Sequence, residues 1–362
     1  LKRTWLLLIF AAFLASPLAS YTPAQAASQQ PAKAQKKTKA VQAKKKVKAK
    51  TKKKATKVSK RVREAYNPNT PLRTLQASYD TAWRDSDLDL QSAAALVIDQ
   101  KTGEALYAKN VEVATPIASI TKLMTAMVTL DAGLPLDEEI VIGTEDMDRL
   151  KGTGSRLALG TRLTREELLY LALMASENRA AAALSRAYPG GREAFIAAMN
   201  RKARAIGMEN AHFVDGTGLS SSNRATAADL AKLVDASYRY PLIRQSSTAD
   251  SYDVSVPGRK VVRIKQNGKV KRVAKSVTRH VAFHNTNSLT RNSDWNIGVS
   301  KTGYISEAGR CLVMQASIAE RKVIIVLLDS WGKWSRIGDA QRIKKWLEQD
   351  RQLAREGSRV SA

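Results

Sequence analysis

Apolar residues change their spacing twice along this chain, and that change constrains the fold more than any other feature. Ala94–Ile98 and Ala105–Tyr107 flank the turn residues Lys101-Thr102-Gly103 and read as a β-hairpin. From Ser119 to Leu130 the spacing becomes helical, carried by Ile120, Leu123, Met124, Met127, Val128 and Leu130, with Gly133 and Pro135 as stop signals. Thr164-Arg165-Glu166-Glu167 is a capping-box pattern opening a second helix that runs through Leu173 toward Ser176. Further helices are expected over Arg179–Ala187, Glu193–Ile206 and Ala227–Tyr238. Strands return at Ile297–Ser300, Cys311–Ile318 and Lys322–Leu328, the last two close enough to pair. A closing helix from Arg336 to Leu347 gathers Ile337, Ala340, Ile343, Trp346 and Leu347 on one face. A strand hairpin, a helical middle, more strands and a packing helix describe an α+β sandwich with segregated helices.

With 362 residues and 44% apolar composition, the chain has material for a large core. Its N-terminal part is not built that way. Lys2 and Arg3 precede an apolar run from Trp5 to Ala15, and Ala24-Gln25-Ala26 offers a small-residue cleavage site, so residues 1–26 are expected to be a secretory signal. The run is shorter than the roughly 20 residues a membrane-spanning helix needs. The formal net charge is +27, and residues 31–64 hold sixteen Lys or Arg against the single acid Glu64. With almost no large apolar side chains, residues 27–66 cannot offset the entropy of ordering and are expected to form a lysine-rich extended tether. The folded domain is then expected over 67–350, with a charged tail at 351–362. Within it, Val261–Val277 is a basic, hairpin-like piece around Asn267-Gly268 whose role the sequence does not declare.

Cys311 is the sole cysteine, so no intramolecular disulfide can form, and its apolar setting marks a buried thiol. His212, His280 and His284 have no metal-binding spacing, and no Ser-His-Asp arrangement suggests itself. A serine hydroxyl can instead be activated by a lysine whose pKa is lowered by desolvation or a neighbouring cation. Ser119 and Lys122 stand three apart at a helix start, on one face. The same helix start offers the backbone N–H of Ser119 to a developing oxyanion.

Three short patterns then occur in order: Ser119-Ile120-Thr121-Lys122, Ser176-Glu177-Asn178 and Lys301-Thr302-Gly303. Each has a second copy, at Ser330-Trp331-Gly332-Lys333, Ser221-Ser222-Asn223 and Lys101-Thr102-Gly103. The copies fall at a strand exit, in a polar loop and in a hairpin turn, where turn chemistry accounts for them. The S-x-x-K, S-x-N, K-T-G series resembles that of β-lactamases and penicillin-binding proteins, and is most similar to the low-molecular-mass D-alanyl-D-alanine carboxypeptidases and endopeptidases. Pro116-Ile117-Ala118, Asp215-Gly216-Thr217-Gly218-Leu219, His284-Asn285-Thr286-Asn287 and Glu307-Ala308-Gly309-Arg310 add to the likeness, which extends over about residues 90–350.

The resemblance implies a transpeptidase-like fold, an antiparallel sheet flanked by helices with a helical subdomain. It further implies that Ser119 forms an acyl-enzyme, that Lys122 accepts its proton and that Ser176 relays a proton to the leaving amine. Asn178 would hold Lys122 and the substrate amide. Lys301 and Thr302 of the Lys301-Thr302-Gly303 strand would contact the substrate carboxylate or raise the local positive potential, and the Tyr304 backbone would supply the second oxyanion donor. No metal or organic cofactor is implied. The expected partners are peptidoglycan stem peptides, with β-lactams as covalent inhibitors, in the periplasm or cell envelope after export. Residues 31–64 are expected to contact anionic envelope polymers or a membrane surface in preference to nucleic acid. A β-lactamase is the alternative enzyme, but no glutamate suited to activating a deacylating water follows Ser176 at the right spacing; Glu209-Asn210 reads as a turn. A non-catalytic, basic envelope-binding protein of the same fold is the other alternative. No long amphipathic anchor or second β-domain is read after Leu347, which leans toward the endopeptidase branch.

Overall fold

The computed structural model describes residues 88–266 and 269–360, so the expectations for the signal, the tether and the Asn267-Gly268 turn lie outside the described residues. The sheet at the centre has five antiparallel strands, β1 (Ser92–Asp99), β2 (Ala105–Lys109), β9 (Asn296–Ile305), β10 (Gly309–Ile318) and β11 (Arg321–Ser330), in the order β2-β1-β11-β10-β9. The first strand therefore pairs with the last, from Ser92 opposite Ser330 to Asp99 opposite Val323. These strands are near-continuous apolar runs because both faces are covered. Ala95, Val97, Leu312, Met314, Ile325 and Leu327 pack on Ala340, Ile343 and Leu347 of the closing helix. Leu96, Val313, Ile324 and Val326 face the other way, into the core shared with the helical body.

That body is built from α1 (Thr121–Asp131), α2 (Arg165–Leu173), α3 (Asn178–Arg186), α4 (Gly191–Ala205), α5 (Ala227–Tyr238) and α6 (Pro241–Thr248). Thr164 caps α2 by accepting from Glu167 N at 3.2 Å while Glu167 Oε2 accepts from Thr164 N at 2.8 Å, the expected capping box. Thr226 and Asp229 build a second box at the start of α5. Helix α1 is enclosed on every side, with Thr121 through Thr129 all buried. Its threonines meet that confinement by bonding backbone carbonyls, Thr121 to Ala118, Thr125 to Gly216 and Thr129 to Thr125. Three two-stranded ribbons complete the fold: β3 (Thr115–Pro116) with β6 (Arg224–Ala225), β4 (Glu139–Val141) with β5 (Arg162–Thr164), and the long β7 (Ser251–Gln266) with β8 (Lys269–His284).

The closing helix, α7, runs from Ser335 to Val360, past the Leu347 stop expected for it, so the segment assigned as a charged tail at 351–362 is helical through residue 360. The reason is compositional. Beyond Leu347 the chain loses its apolar stripe but has no glycine before Gly357 and no proline, so nothing breaks the backbone spiral. Near its start, buried Asp339 ties the helix to β1, accepting from Gln91 N at 2.9 Å, Ser92 N at 2.8 Å and Ser92 Oγ at 2.5 Å. Replacing Asp339 with Ala takes this acceptor from the buried Ser92 N–H at the start of β1 and from the Gln91 N–H just before it, at about 1–3 kcal/mol for a donor left buried and unpaired. A fall of about 2–4 kcal/mol in unfolding free energy is expected in urea titration; an unchanged midpoint would show that water replaces the carboxylate at no cost.

Candidate active site

Ser119 sits in a 3-10 turn, Ala118–Ile120, immediately before α1. The turn is strained: Ala118 has φ +48°, a left-handed conformation uncommon for a residue with a Cβ. Two glycines allow the surrounding chain to come close enough to hold it. A Cβ on Gly218, itself at φ +79°, would lie 2.0 Å from Ala118 O and 2.9 Å from Ser119 N. On the other flank, a Cβ on Gly303 of β9 would lie 3.0 Å from Ile117 O and 3.2 Å from Ser119 N. Gly303 is thus where the sheet touches the serine turn, and Gly218 is where the loop from the helical body does.

Lys122 projects from the first turn of α1 and is completely buried. Its Nζ donates to Ser119 Oγ at 2.8 Å, Asn178 Oδ1 at 2.8 Å and the Thr217 carbonyl at 2.6 Å. Burial is the largest influence on its amine and pushes the pKa down to about 7, against the opposing pull of Asp215 and Glu177. Three partners match the three N–H bonds of the ammonium. When the proton leaves, the carbonyl oxygens of Asn178 and Thr217 can still only accept. The lone pair of the neutral amine must then face Ser119, whose hydroxyl becomes the donor.

Ser176 occupies the turn between α2 and α3 at φ +58°, a second left-handed non-glycine residue. Lys301 of β9, also buried, donates from Nζ to Ser176 Oγ at 2.8 Å and to the Thr302 carbonyl at 2.8 Å. Burial, and next the charge of Lys122, hold the Lys301 amine well below the ordinary lysine range. Two ammoniums in one cleft disfavour each other's charge, and at each of these lysines desolvation is the larger effect. Thr302 is buried with its Oγ1 2.7 Å from Thr286 Oγ1. The Tyr304 ring points away into solvent, 58% exposed, beneath the Arg310 guanidinium at 4.6 Å, so only its backbone belongs to the strand edge. The structure brings Ser119, Lys122 and Asn178 into one hydrogen-bonded group, joins Ser176 to Lys301, and sets Gly303 against the serine turn.

Other residues complete this neighbourhood, and of these Asp148 and Thr153 do not stand out in the sequence. Asp215 folds the loop that supplies the Thr217 carbonyl, accepting through Oδ1 from Thr217 N and Gly218 N at 2.6 Å each and through Oδ2 from Ser220 N at 2.9 Å. Thr153 accepts from Asn178 Nδ2 at 3.0 Å and donates to Asp148 Oδ2 at 2.6 Å. Asp148 also accepts from the backbone of Leu150, Lys151 and Thr153, and these bonds pull its carboxyl down to about 2 despite the opposing cost of burial. Lys151 of the same loop pairs with Glu307 in the turn between β9 and β10. The signal for Asp148 and Thr153 is local, an aspartate collecting N–H groups of its own loop; that this loop reaches Asn178 is a tertiary fact. A cavity of about 700 Å³, lined by Asp148, Asn178, Asp215 and Thr217, opens on this side of the group. Another of about 580 Å³ lies apart from it, between the β1–β2 hairpin and α5. No grouping of three or more His, Cys, Asp or Glu side chains suited to a metal occurs among the described residues.

The repeated motifs have other duties. Lys101–Gly103 forms the β1–β2 turn, where Asp99 Oδ1 accepts from Lys101 N and Thr102 N. Asn223 is buried beneath the serine turn, donating to Thr121 Oγ1 at 3.1 Å and the Asp215 carbonyl at 2.9 Å. Ser330 ends β11 against Ser92 Oγ at 2.7 Å.

Residues 81–332 match the D-alanyl-D-alanine carboxypeptidase family. A D-alanyl-D-alanine endopeptidase of Pseudomonas aeruginosa is 46% identical over 264 residues, spanning 72% of this chain and 78% of that protein. Its counterpart in Escherichia coli is 43% identical over 265 residues, spanning 73% and 79%. Among solved structures, a Streptomyces DD-transpeptidase superposes with a TM-score of 0.61 at 26% identity, covering 72% of this chain and 98% of its own. With a family match over well above half its length and relatives of this identity, the chain belongs to the D-alanyl-D-alanine carboxypeptidase family.

Proposed function

We propose that this protein is a serine-type D-alanyl-D-alanine peptidase that cleaves peptidoglycan stem peptides through an acyl-ester on Ser119. The observation that carries the reading is the desolvated Lys122 amine bonded to Ser119 Oγ, with two further partners that can only accept. Neutral Lys122 takes the hydroxyl proton as Ser119 Oγ bonds to the scissile carbonyl carbon. The oxyanion is held by the backbone N–H groups of Ser119 and Tyr304, across the contact that Gly303 permits. The carbon–nitrogen bond then breaks as Ser176, bonded to Lys301, passes its proton to the departing amine and regains one from protonated Lys122, which returns to the neutral form. Asn178 orients Lys122 and the substrate amide, while Thr302 faces the substrate's terminal end. Water completes the cycle by hydrolysing the ester.

Cleavage of cross-links is the preferred activity, because the relatives at 43–46% identity are endopeptidases whereas a carboxypeptidase of Bacillus subtilis is 28% identical. A persistent penicillin adduct is favoured over β-lactam turnover. The two acids that act on Lys122 are already engaged, Asp215 by three loop N–H groups and Glu177 by Arg179 N. The enzyme works in the cell envelope, where residues 31–64 meet anionic polymers or a membrane surface.

Fluorescent penicillin should label the protein stably and stoichiometrically, with all label lost in Ser119→Ala, and cross-linked muropeptides should be cut to monomers. Rapid release of the label would instead make it a β-lactamase, and no labelling would leave a binding protein. The acylation rate should rise with pH through a midpoint of about 7 and fall about tenfold per unit well below it, because protonated Lys122 has no lone pair for Ser119. Lys122→Arg, cationic at every accessible pH, should be inactive throughout; a flat profile in the native enzyme would remove Lys122 as the base. Thr153→Val takes the acceptor from Asn178 Nδ2 and should slow acylation about five- to tenfold, the worth of about one hydrogen bond. Thr153→Ser should restore it, and equal rates for Val and Ser would mean Asn178 needs no anchor.

A further inference from the structure

The β7–β8 hairpin has a base and an arm. At the base Val254, Val256 and Phe283 are buried, Tyr252 stacks on Tyr170 at 5.1 Å, and Arg156 lies 4.1 Å from the Phe283 ring centroid while donating to the Ala282 carbonyl at 2.7 Å. From Pro257 opposite Thr278 outward to Gln266 opposite Lys269, no residue is buried. That is ten residues of ladder per strand, or about 33 Å at the usual rise.

The arm carries nine Lys or Arg and no acid between residues 257 and 279. Its register sets Arg263 opposite Arg272 and Lys260 opposite Lys275, like charges across neighbouring strands. None of the ion pairs among the described residues reaches it. Apolar side chains stand between the cations: Val261 and Val270 are 63% and 67% exposed, and Val262, Ile264 and Val273 are only half-buried. In water the arm therefore has two unfavourable terms, self-repulsion and exposed aliphatic surface. A soluble polyanion relieves the first alone. A bilayer carrying negative headgroups relieves both, since phosphates neutralise the cations while the face of the ribbon that carries Val261 and Val270 enters the acyl boundary.

We propose that the β7–β8 arm docks on an anionic phospholipid surface. The arm's base leads directly through His284 and Asn285 to Thr286, whose hydroxyl meets Thr302 of the K-T-G strand. Docking therefore fixes the height and tilt of the Ser119 cleft above the lipid. This inference is independent of the reaction proposed for that cleft.

The test uses the full chain with Val270→Cys carrying an environment-sensitive fluorophore. Cys311, fully buried and with its thiol pushed up to about 12 by desolvation, stays unlabelled. Equimolar phosphatidylcholine–phosphatidylglycerol vesicles should shift the emission to the blue and shield the label from aqueous iodide, while phosphatidylcholine vesicles and soluble polyphosphate should not. Arg263→Gln with Arg272→Gln should raise the lipid concentration for half-maximal shift by about fivefold per cation removed, with penicillin acylation unchanged as evidence of an intact fold. No shift on the anionic vesicles overturns the proposal, and so does an equal response to polyphosphate, which would identify a polymer-binding arm.

Discussion

The structure depends on keeping one lysine amine out of water. An uncompensated buried ammonium is costly, and the fold meets that cost with three oxygen acceptors supplied by three separate segments. Ser119 comes from the turn before α1, Asn178 from the start of α3, and Thr217 from the loop that Asp215 folds. Each segment is in turn held from outside the group. Gly218 and Gly303 admit the flanking chain to the serine turn, Thr153 secures the Asn178 amide, and Thr125 takes the Gly216 carbonyl. The helical body is thus the enclosure that turns an ordinary surface cation into a group that can accept a proton near neutrality.

Much of this was legible in the residues because it depends on short-range rules. The helix–strand order follows hydrophobic period, the α2 start follows its capping box, and the proximity of Ser119 to Lys122 follows from one helical turn. What stayed hidden is non-local. Nothing in Asp148 or Thr153 announces a contact with Asn178, since the link joins chain segments that meet only after the core has formed. The pairing of β1 with β11 is of the same kind. The run beyond Leu347 differs for another reason: amphipathicity ends there, which predicts a helix end, but backbone propensity carries α7 on to Val360. The two lysines also differ in what else surrounds them, acids near Lys122 and Arg336 near Lys301, which their spacing in the sequence does not declare.

Two of the non-glycine residues with left-handed backbone stand at this site. Ala118, beside Ser119, and Ser176, bonded to Lys301, both hold left-handed backbone without being glycine. Such conformations persist only where their surroundings over-determine them. Around Ala118 those surroundings are backbone atoms of β9 and of the Asp215 loop, so sheet and helical body must both be in place before the serine turn acquires its shape.

The pairing of first strand with last has a consequence for how the molecule comes into being. In the order β2-β1-β11-β10-β9, the N-terminal hairpin has no neighbour until the final strands arrive, and Asp339 cannot stitch β1 to α7 earlier either. A chain emerging N-terminus first from a ribosome or a translocation channel therefore holds its aliphatic hairpin open until nearly the whole polypeptide is through. Assembly waits on the far end of the gene, and a truncated product would lack not a peripheral piece but the middle of its sheet.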